Sequence, residues 1–202
     1  MNITSIEPYR KGKVLIYLND EPAFALYTSD VKQFELIEGM ELDEDLYKRI
    51  LTEALFKRAK VRTLHLLDKQ DRTEKQLRFK LKENMYPPEA IDEAVEAAKR
   101  GRYLDDERYA RIYIREKSRV KSRRIIEEEL KAKGIAKDII AEAMEDQDEG
   151  EDSDLLLIEK LIKKKCRDIS SLDYAGTQKL MRYLSGKGFD IYDIRTVLER
   201  LT

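Results

Sequence analysis

Self-similarity limits the folds open to this chain more than anything else in it. Sliding the sequence by 49 residues lays Thr73, Leu77, Leu81, Tyr86, Ile91 and Ala94 onto Ser122, Ile126, Leu130, Ile135, Ile140 and Ala143. Sliding forward by 54 lays Ile126, Leu130, Gly134, Ile135 and Ile140 onto Leu180, Leu184, Gly188, Phe189 and Ile194. A period near fifty residues marks one supersecondary unit stacked several times, each copy too small to bury its apolar face alone.

The copies carry helical punctuation. In the second, Ser122 stands where an N-cap hydroxyl accepts an otherwise unpartnered backbone N–H, and Ile126 and Leu130 follow on one helix face. Lys131 and Lys133 occupy the last turn, Gly134 the left-handed position after it, and Ile135 the apolar contact that closes such an end. The third copy repeats this with Lys187, Gly188 and Phe189. The first opens on Thr73-Glu74-Lys75-Gln76, a capping box, and ends irregularly, with Asn84 as a candidate left-handed residue before Pro87 and Pro88 start the next helix. Asp105 reads as the N-cap of a preceding helix whose stripe is Tyr109, Ile112 and Tyr113, with Asp106 and Glu107 in its first turn. The unit is therefore helix, helix, shorter helix, the last spanning Asp138 to Met144 in copy two and Ile191 to Leu201 in copy three.

The first forty residues differ in kind. Val14, Ile16 and Leu18 alternate with Leu15 and Tyr17, Ile3 to Tyr9 is a second candidate strand, and Ala23 to Tyr27 a third after the turn residues Asn19 to Pro22. This predicts a small antiparallel sheet packed against the first helices, since an isolated sheet of this size is marginal in water. A short helix begins near Ser29. The expected fold is mainly α, tandem three-helix repeats forming an elongated curved array with an N-terminal antiparallel β-sheet. Its divisions are 1–40 for the sheet, 41–100 for repeat 1, 101–147 for repeat 2 and 148–202 for repeat 3. Ending the chain at Gln147 is expected to leave a soluble protein and to strip packing partners from Ile140 and Met144.

Charge is distributed unevenly beneath a formal net charge of -1. Between Lys99 and Lys137 there are fourteen Lys and Arg against seven Asp and Glu, whereas every charged residue from Asp138 to Glu159 is acidic. Glu145-Asp146-Gln147-Asp148-Glu149-Gly150-Glu151-Asp152 reads as a self-repelling linker between the second and third units. Arg108, Arg111 and Arg115 share a helix face by spacing, and Arg119, Lys121, Arg123 and Arg124 crowd the next turn. Such a cluster is either a solvated surface laced with i, i+4 ion pairs or an electrostatic footprint for phosphates or an acidic protein.

Leu104-Asp105-Asp106-Glu107-Arg108-Tyr109-Ala110, Lys121-Ser122 and Glu129-Leu130-Lys131-Ala132-Lys133-Gly134-Ile135 closely resemble the most characteristic segments of the bacterial RecX regulatory proteins. The flanking copies and the sheet extend the resemblance over essentially the whole chain. It implies a non-enzymatic protein that binds RecA, lies in the groove of the RecA–DNA filament and limits its growth or its ATPase, strand-exchange and co-protease activities. The candidate RecA- or DNA-binding residues are Arg102, Arg108, Arg111, Arg115, Lys117, Arg119, Lys121, Arg123, Arg124, Lys131 and Lys133. The expected partner is the RecA filament, with single- or double-stranded DNA reached through phosphate contacts. No cofactor is expected.

The alternative is a tandem helical module binding DNA non-specifically. Asn and Gln, the usual adenine readers, are absent between Arg102 and Lys133, so base readout is poorly served. Catalytic and metal chemistry fare worse. Asp105, Asp106 and Glu107 are consecutive and diverge on a helix, His65 is the single histidine and sits in an apolar run as a packed residue would, and Cys166 lacks a base. The amino terminus carries no basic-then-apolar signal and no run approaches a membrane span. A monomer in the cytoplasm, without membrane contact, is the expected state.

Overall fold

The computed structural model describes residues 1–146, 153–166, 169 and 172–201; most of the acidic stretch read as a linker lies outside them. The chain forms two compact units, 1–105 and 106–202. No described helix is long and apolar enough to cross a membrane.

The first unit opens with a three-stranded antiparallel sheet in the order β1 (Ile3–Arg10), β2 (Lys13–Leu18), β3 (Glu21–Tyr27). Ile16 pairs with Ile6 on one side and Phe24 on the other. Asn19 and Asp20 both take positive φ in the two-residue turn before β3, the backbone that matches the twist of a tight hairpin. Pro22 is accommodated because β3 is the edge strand. Ile3, Ile16, Phe24 and Leu26 have no solvent exposure.

Helix α1 (Thr28–Gln33) follows, and α2 (Glu44–Arg49) runs through a π-helical stretch, Ile50–Leu55, into α3 (Phe56–Lys69). Then come α4 (Glu74–Lys82) and α5 (Pro88–Arg100). One apolar cluster joins the sheet to these helices, with Ile50, Leu55, Leu77 and Leu81 packed alongside Phe24 and Leu26. The free edge of β3 is engaged too, because the Ala25 N–H donates to the Met85 carbonyl at 3.0 Å. The expected capping box is present: the Gln76 N–H donates to Thr73 Oγ1 and the Thr73 N–H to Gln76 Oε1, both at 3.3 Å.

The second unit holds two three-helix groups. Helices α6 (Asp106–Lys117), α7 (Arg123–Ala132) and α8 (Lys137–Glu145) enclose Ala110, Ile114, Ile126, Leu130 and Ile140. Helices α9 (Ser153–Lys165), α10 (Tyr174–Ser185) and α11 (Ile191–Leu201) enclose Ile158, Ile162, Leu180, Leu184 and Ile194. The apolar stripe of α6 is Ala110 and Ile114, rather than the expected Tyr109, Ile112 and Tyr113, whose half-buried side chains flank it. Tyrosine keeps its hydroxyl near polar partners, so it borders a core more readily than it fills one.

The middle helix of every group closes in the same way. The Ile135 N–H donates to the Leu130 carbonyl at 3.1 Å, Phe189 to Leu184 at 3.4 Å and Tyr86 to Leu81 at 3.3 Å, each completing the six-residue ring of a Schellman motif. Gly134 and Gly188 supply the left-handed residue at φ +90°. In the first group that residue is Met85 at φ +58°, one position after the expected Asn84. Asn84 is held back by its own bonds, its amide donating to the Lys80 carbonyl at 2.6 Å and its oxygen accepting from Arg10 at 3.3 Å. Met85→Gly should relieve the strain of a side chain at positive φ and raise stability by about 0.5–1 kcal/mol, measured as a higher urea midpoint.

Candidate functional site: the cationic surface of the second unit

Of the candidate cations, Arg102 belongs to the first unit, in a turn with φ +57°, and the others to the second. Their charges fall into three groups.

The first group is committed to neighbouring carboxylates. Arg111 reaches from α6 to α8, with Nη2 3.3 Å from Glu142 and Nε 3.1 Å from Asp146, so it ties those helices together. It does not stand with Arg108 and Arg115 as one outward face, as spacing predicted, because the acidic end of α8 draws it aside. Arg124 pairs with Glu128 at 2.9 Å and Lys131 with Glu127, both at i, i+4.

The second group surrounds Tyr113 and Glu129. The Tyr113 hydroxyl donates to Glu129 at 2.8 Å and Lys121 donates to the other carboxylate oxygen. Lys117 and Lys133 lie over the Tyr113 ring, 5.6 and 5.2 Å from its centre, and Tyr109 stacks against it at 6.1 Å. Partial burial pushes the Glu129 carboxyl up, but hydrogen bonds from Lys121 and Tyr113 and the nearby charges of Lys121 and Lys133 outweigh it and hold it below the ordinary value. Burial first, then the bond to Glu129, pushes the Tyr113 hydroxyl well up. A carboxyl whose folded pKa is depressed contributes stability above its unfolded value, and that contribution is lost as pH falls through the folded one. Glu129→Gln should therefore be less stable than the parent at neutral pH, with the gap in urea midpoint closing below about pH 4.

The third group faces solvent. Arg108, Arg115, Arg119 and Arg123 are exposed on α6, the following turn and the first residue of α7. Among the described residues no carboxylate lies within 4.0 Å of Arg115, Lys117 or Arg119.

The start of α7 is also where the third helical group attaches. Ser122 caps α7, its buried hydroxyl accepting from the Ile125 N–H at 3.4 Å, while its own N–H donates to the Lys187 carbonyl at 3.1 Å. Arg124 donates to the Gly188 carbonyl at 3.4 Å. The Asp154 carboxylate accepts from the Arg123 N–H, although burial still holds its pKa above the ordinary value. Ile140 and Met144, by contrast, are buried within their own group. Loss of the third group would thus be felt first at Ser122 and Ile125, not at the residues expected from position alone. Sequence reasoning missed Glu129, Asp154 and the Lys187 carbonyl, whose roles join residues 16 to 65 positions apart.

His65 is exposed, contrary to its reading as a packed residue, because the helix turns Thr63 and Leu66 inward instead.

Comparison with known proteins accounts for the repeats one by one. Residues 59–96 match the model of the first RecX three-helix domain, 105–144 the second and 152–198 the third. The chain is 31% identical over 205 residues to the regulatory protein RecX of Clostridium perfringens (strain 13 / Type A), covering 99% of this chain and 96% of that protein. It is 34% identical over 197 residues to the regulatory protein RecX of Caldanaerobacter subterraneus subsp. tengcongensis, covering 96% and 95%. A crystal structure of a regulatory protein RecX superposes with a TM-score of 0.61 over 98% of both chains at 31% identity. A second, from Lactobacillus salivarius, gives 0.60 at 23% identity, over 73% of this chain and 96% of that one, and speaks for the fold alone.

Proposed function

This chain belongs to the RecX family of regulatory proteins, and we propose that it regulates the RecA recombinase by binding the RecA–DNA filament and limiting its growth or activity. The exposed arginines of α6 and the α6–α7 turn carry this reading, because they leave a positive surface on the domain that matches the second RecX three-helix domain. A surface of this kind steers toward acidic protein or phosphate without reading sequence.

The protein acts by occupancy, not by chemistry, as a cytoplasmic monomer. The sheet and the three repeats are its working divisions. Repeat 2 makes the central contact, with Arg108, Arg115, Arg119 and Arg123 meeting RecA, DNA phosphate or both. Lys117, Lys121 and Lys133 are held in place behind them by Tyr113 and Glu129. ATPase, strand-exchange and co-protease activities fall together, since all three depend on the same filament.

The test is titration of the full chain into RecA on single-stranded DNA while following ATP hydrolysis, with binding to free DNA measured in parallel. Inhibition at concentrations where free DNA is barely bound is the expected result. Inhibition that tracks coating of the DNA would instead favour a non-specific DNA-binding module.

A further inference from the structure

The first unit contains a cleft of about 630 Å³ that the regulatory reading does not use. One wall is α3, which presents Lys57, Arg58, Val61, Arg62 and His65 to it; Arg10, Lys13 and Tyr27 from the sheet and Tyr86 after α4 stand opposite among its lining residues. Five of the lining residues are Lys or Arg against one carboxylate, Glu53, which Arg49 already pairs at 3.1 Å.

One of these charges is matched by a carboxylate and a second is engaged by a neutral amide. Arg58 makes a forked pair with buried Asp30, one arm at 2.6 Å. Arg10 donates to Asn84 at 3.3 Å. Lys13, Lys57 and Arg62 are different: among the described residues no carboxylate lies within 4.0 Å of any of them. Lys13 is fixed over the rings of Tyr27 and Tyr86, at 4.8 and 6.0 Å. Burial, followed by the charges of Arg58, Arg10 and Arg62, depresses its pKa against the opposing charge of Asp30.

The missing group must be an anion with several acceptor oxygens. A carboxylate offers two; a phosphate can accept from an ammonium and a guanidinium at once and still face a third donor. The volume exceeds what a bare phosphate needs and lies in the range of organic ligands. Exposed Val61, between the two basic turns of α3, gives an apolar surface for a sugar or base. Lys57 to His65 extends about 12 Å along the helix axis at ~1.5 Å per residue, enough to follow more than one phosphate.

We propose that this cleft binds nucleotide phosphate, as successive phosphodiesters of a single strand, with Lys13, Lys57 and Arg62 as the phosphate ligands. The same chemistry could be presented by a free nucleotide, so the test separates the two. The site lies in a different unit from the cations of the regulatory surface and stands or falls independently of them.

The experiment uses the full chain and a fluorescein-labelled oligothymidylate, read by anisotropy over a range of salt. Lys57→Glu with Arg62→Gln should weaken binding at least ~10-fold at low salt and reduce the slope of log affinity against log salt by about 1.4, ~0.7 for each phosphate of a single strand no longer neutralised. Cross-linking of the parent protein to an oligonucleotide carrying 5-iododeoxyuridine, mapped by mass spectrometry, should mark peptides containing Val61 or Tyr86 and needs no variant to fold. Displacement of the oligonucleotide by ADP at lower concentration than by unlabelled strand would overturn the strand assignment in favour of a free nucleotide. Equal displacement by polyglutamate, or unchanged affinity and slope with no cross-link in the first unit, would overturn the site.

Discussion

Gly188→Ala is expected to destabilise the second unit by about 3 kcal/mol. Two costs combine. At φ +90° a side chain is strained by ~1 kcal/mol. A Cβ there would also overlap Ile125 Cγ1 and lie 2.5 Å from Ser122 Oγ and 3.0 Å from Ile125 Cβ, at the seam between the second and third helical groups. Overpacking of that kind costs ~1–3 kcal/mol. Gly39 is the control: it has φ +80° with nothing within 4 Å of an added Cβ, so its alanine variant should show the strain alone. Urea unfolding followed by circular dichroism measures both. Equal midpoints would mean that the seam yields and that Gly188 serves only to end α10.

Combined reversal of Arg108, Arg115 and Arg119 to Glu is expected to raise the concentration for half-inhibition of RecA ATP hydrolysis on the order of 10- to 100-fold, with helicity unchanged. All three side chains are exposed, and none belongs to the apolar cluster of α6, α7 and α8. Arg111 is deliberately left in place. Its reversal would set a carboxylate against Glu142 and Asp146 and loosen α6 from α8, which would confuse a weakened interface with a damaged fold. Undiminished inhibition by a folded triple variant would remove these arginines from the binding surface.

The helical repeat and its closures were legible in the sequence because they are local. A glycine after a lysine-bearing last turn, followed by a buried apolar residue, predicts a Schellman end from a handful of adjacent positions, and Gly134-Ile135 and Gly188-Phe189 adopt it. The sheet was legible through its period of two. What escaped was decided across distance. Nothing near Met85 marks it as left-handed; that follows from the bonds that tie Asn84 and Met85 to Arg10 and Ala25. Likewise Arg111 belongs by spacing to the face of Arg108 and Arg115, but it is claimed by acids more than thirty residues downstream. The cleft of the first unit draws on β1, β2, β3, α3 and the turn after α4, and only folding brings those cations together.

The π-helical stretch has a consequence for how the first repeat is joined to the sheet. The i→i+5 bonds of this stretch together lodge one residue beyond what an α-helix would hold, so Ile50–Leu55 acts as a phase slip between α2 and α3. Leu46 and Tyr47 pack against the apolar cluster ahead of the slip, with the Tyr47 ring 5.9 Å from Phe24, while Ala59 and Leu66 are buried behind it. A single apolar period cannot be drawn through residues 44–69, although they form an unbroken rod. The slip acts as a vernier: one inserted residue resets the azimuth of the rod, so that α2 can satisfy the sheet while α3 keeps the angular setting its own repeat requires.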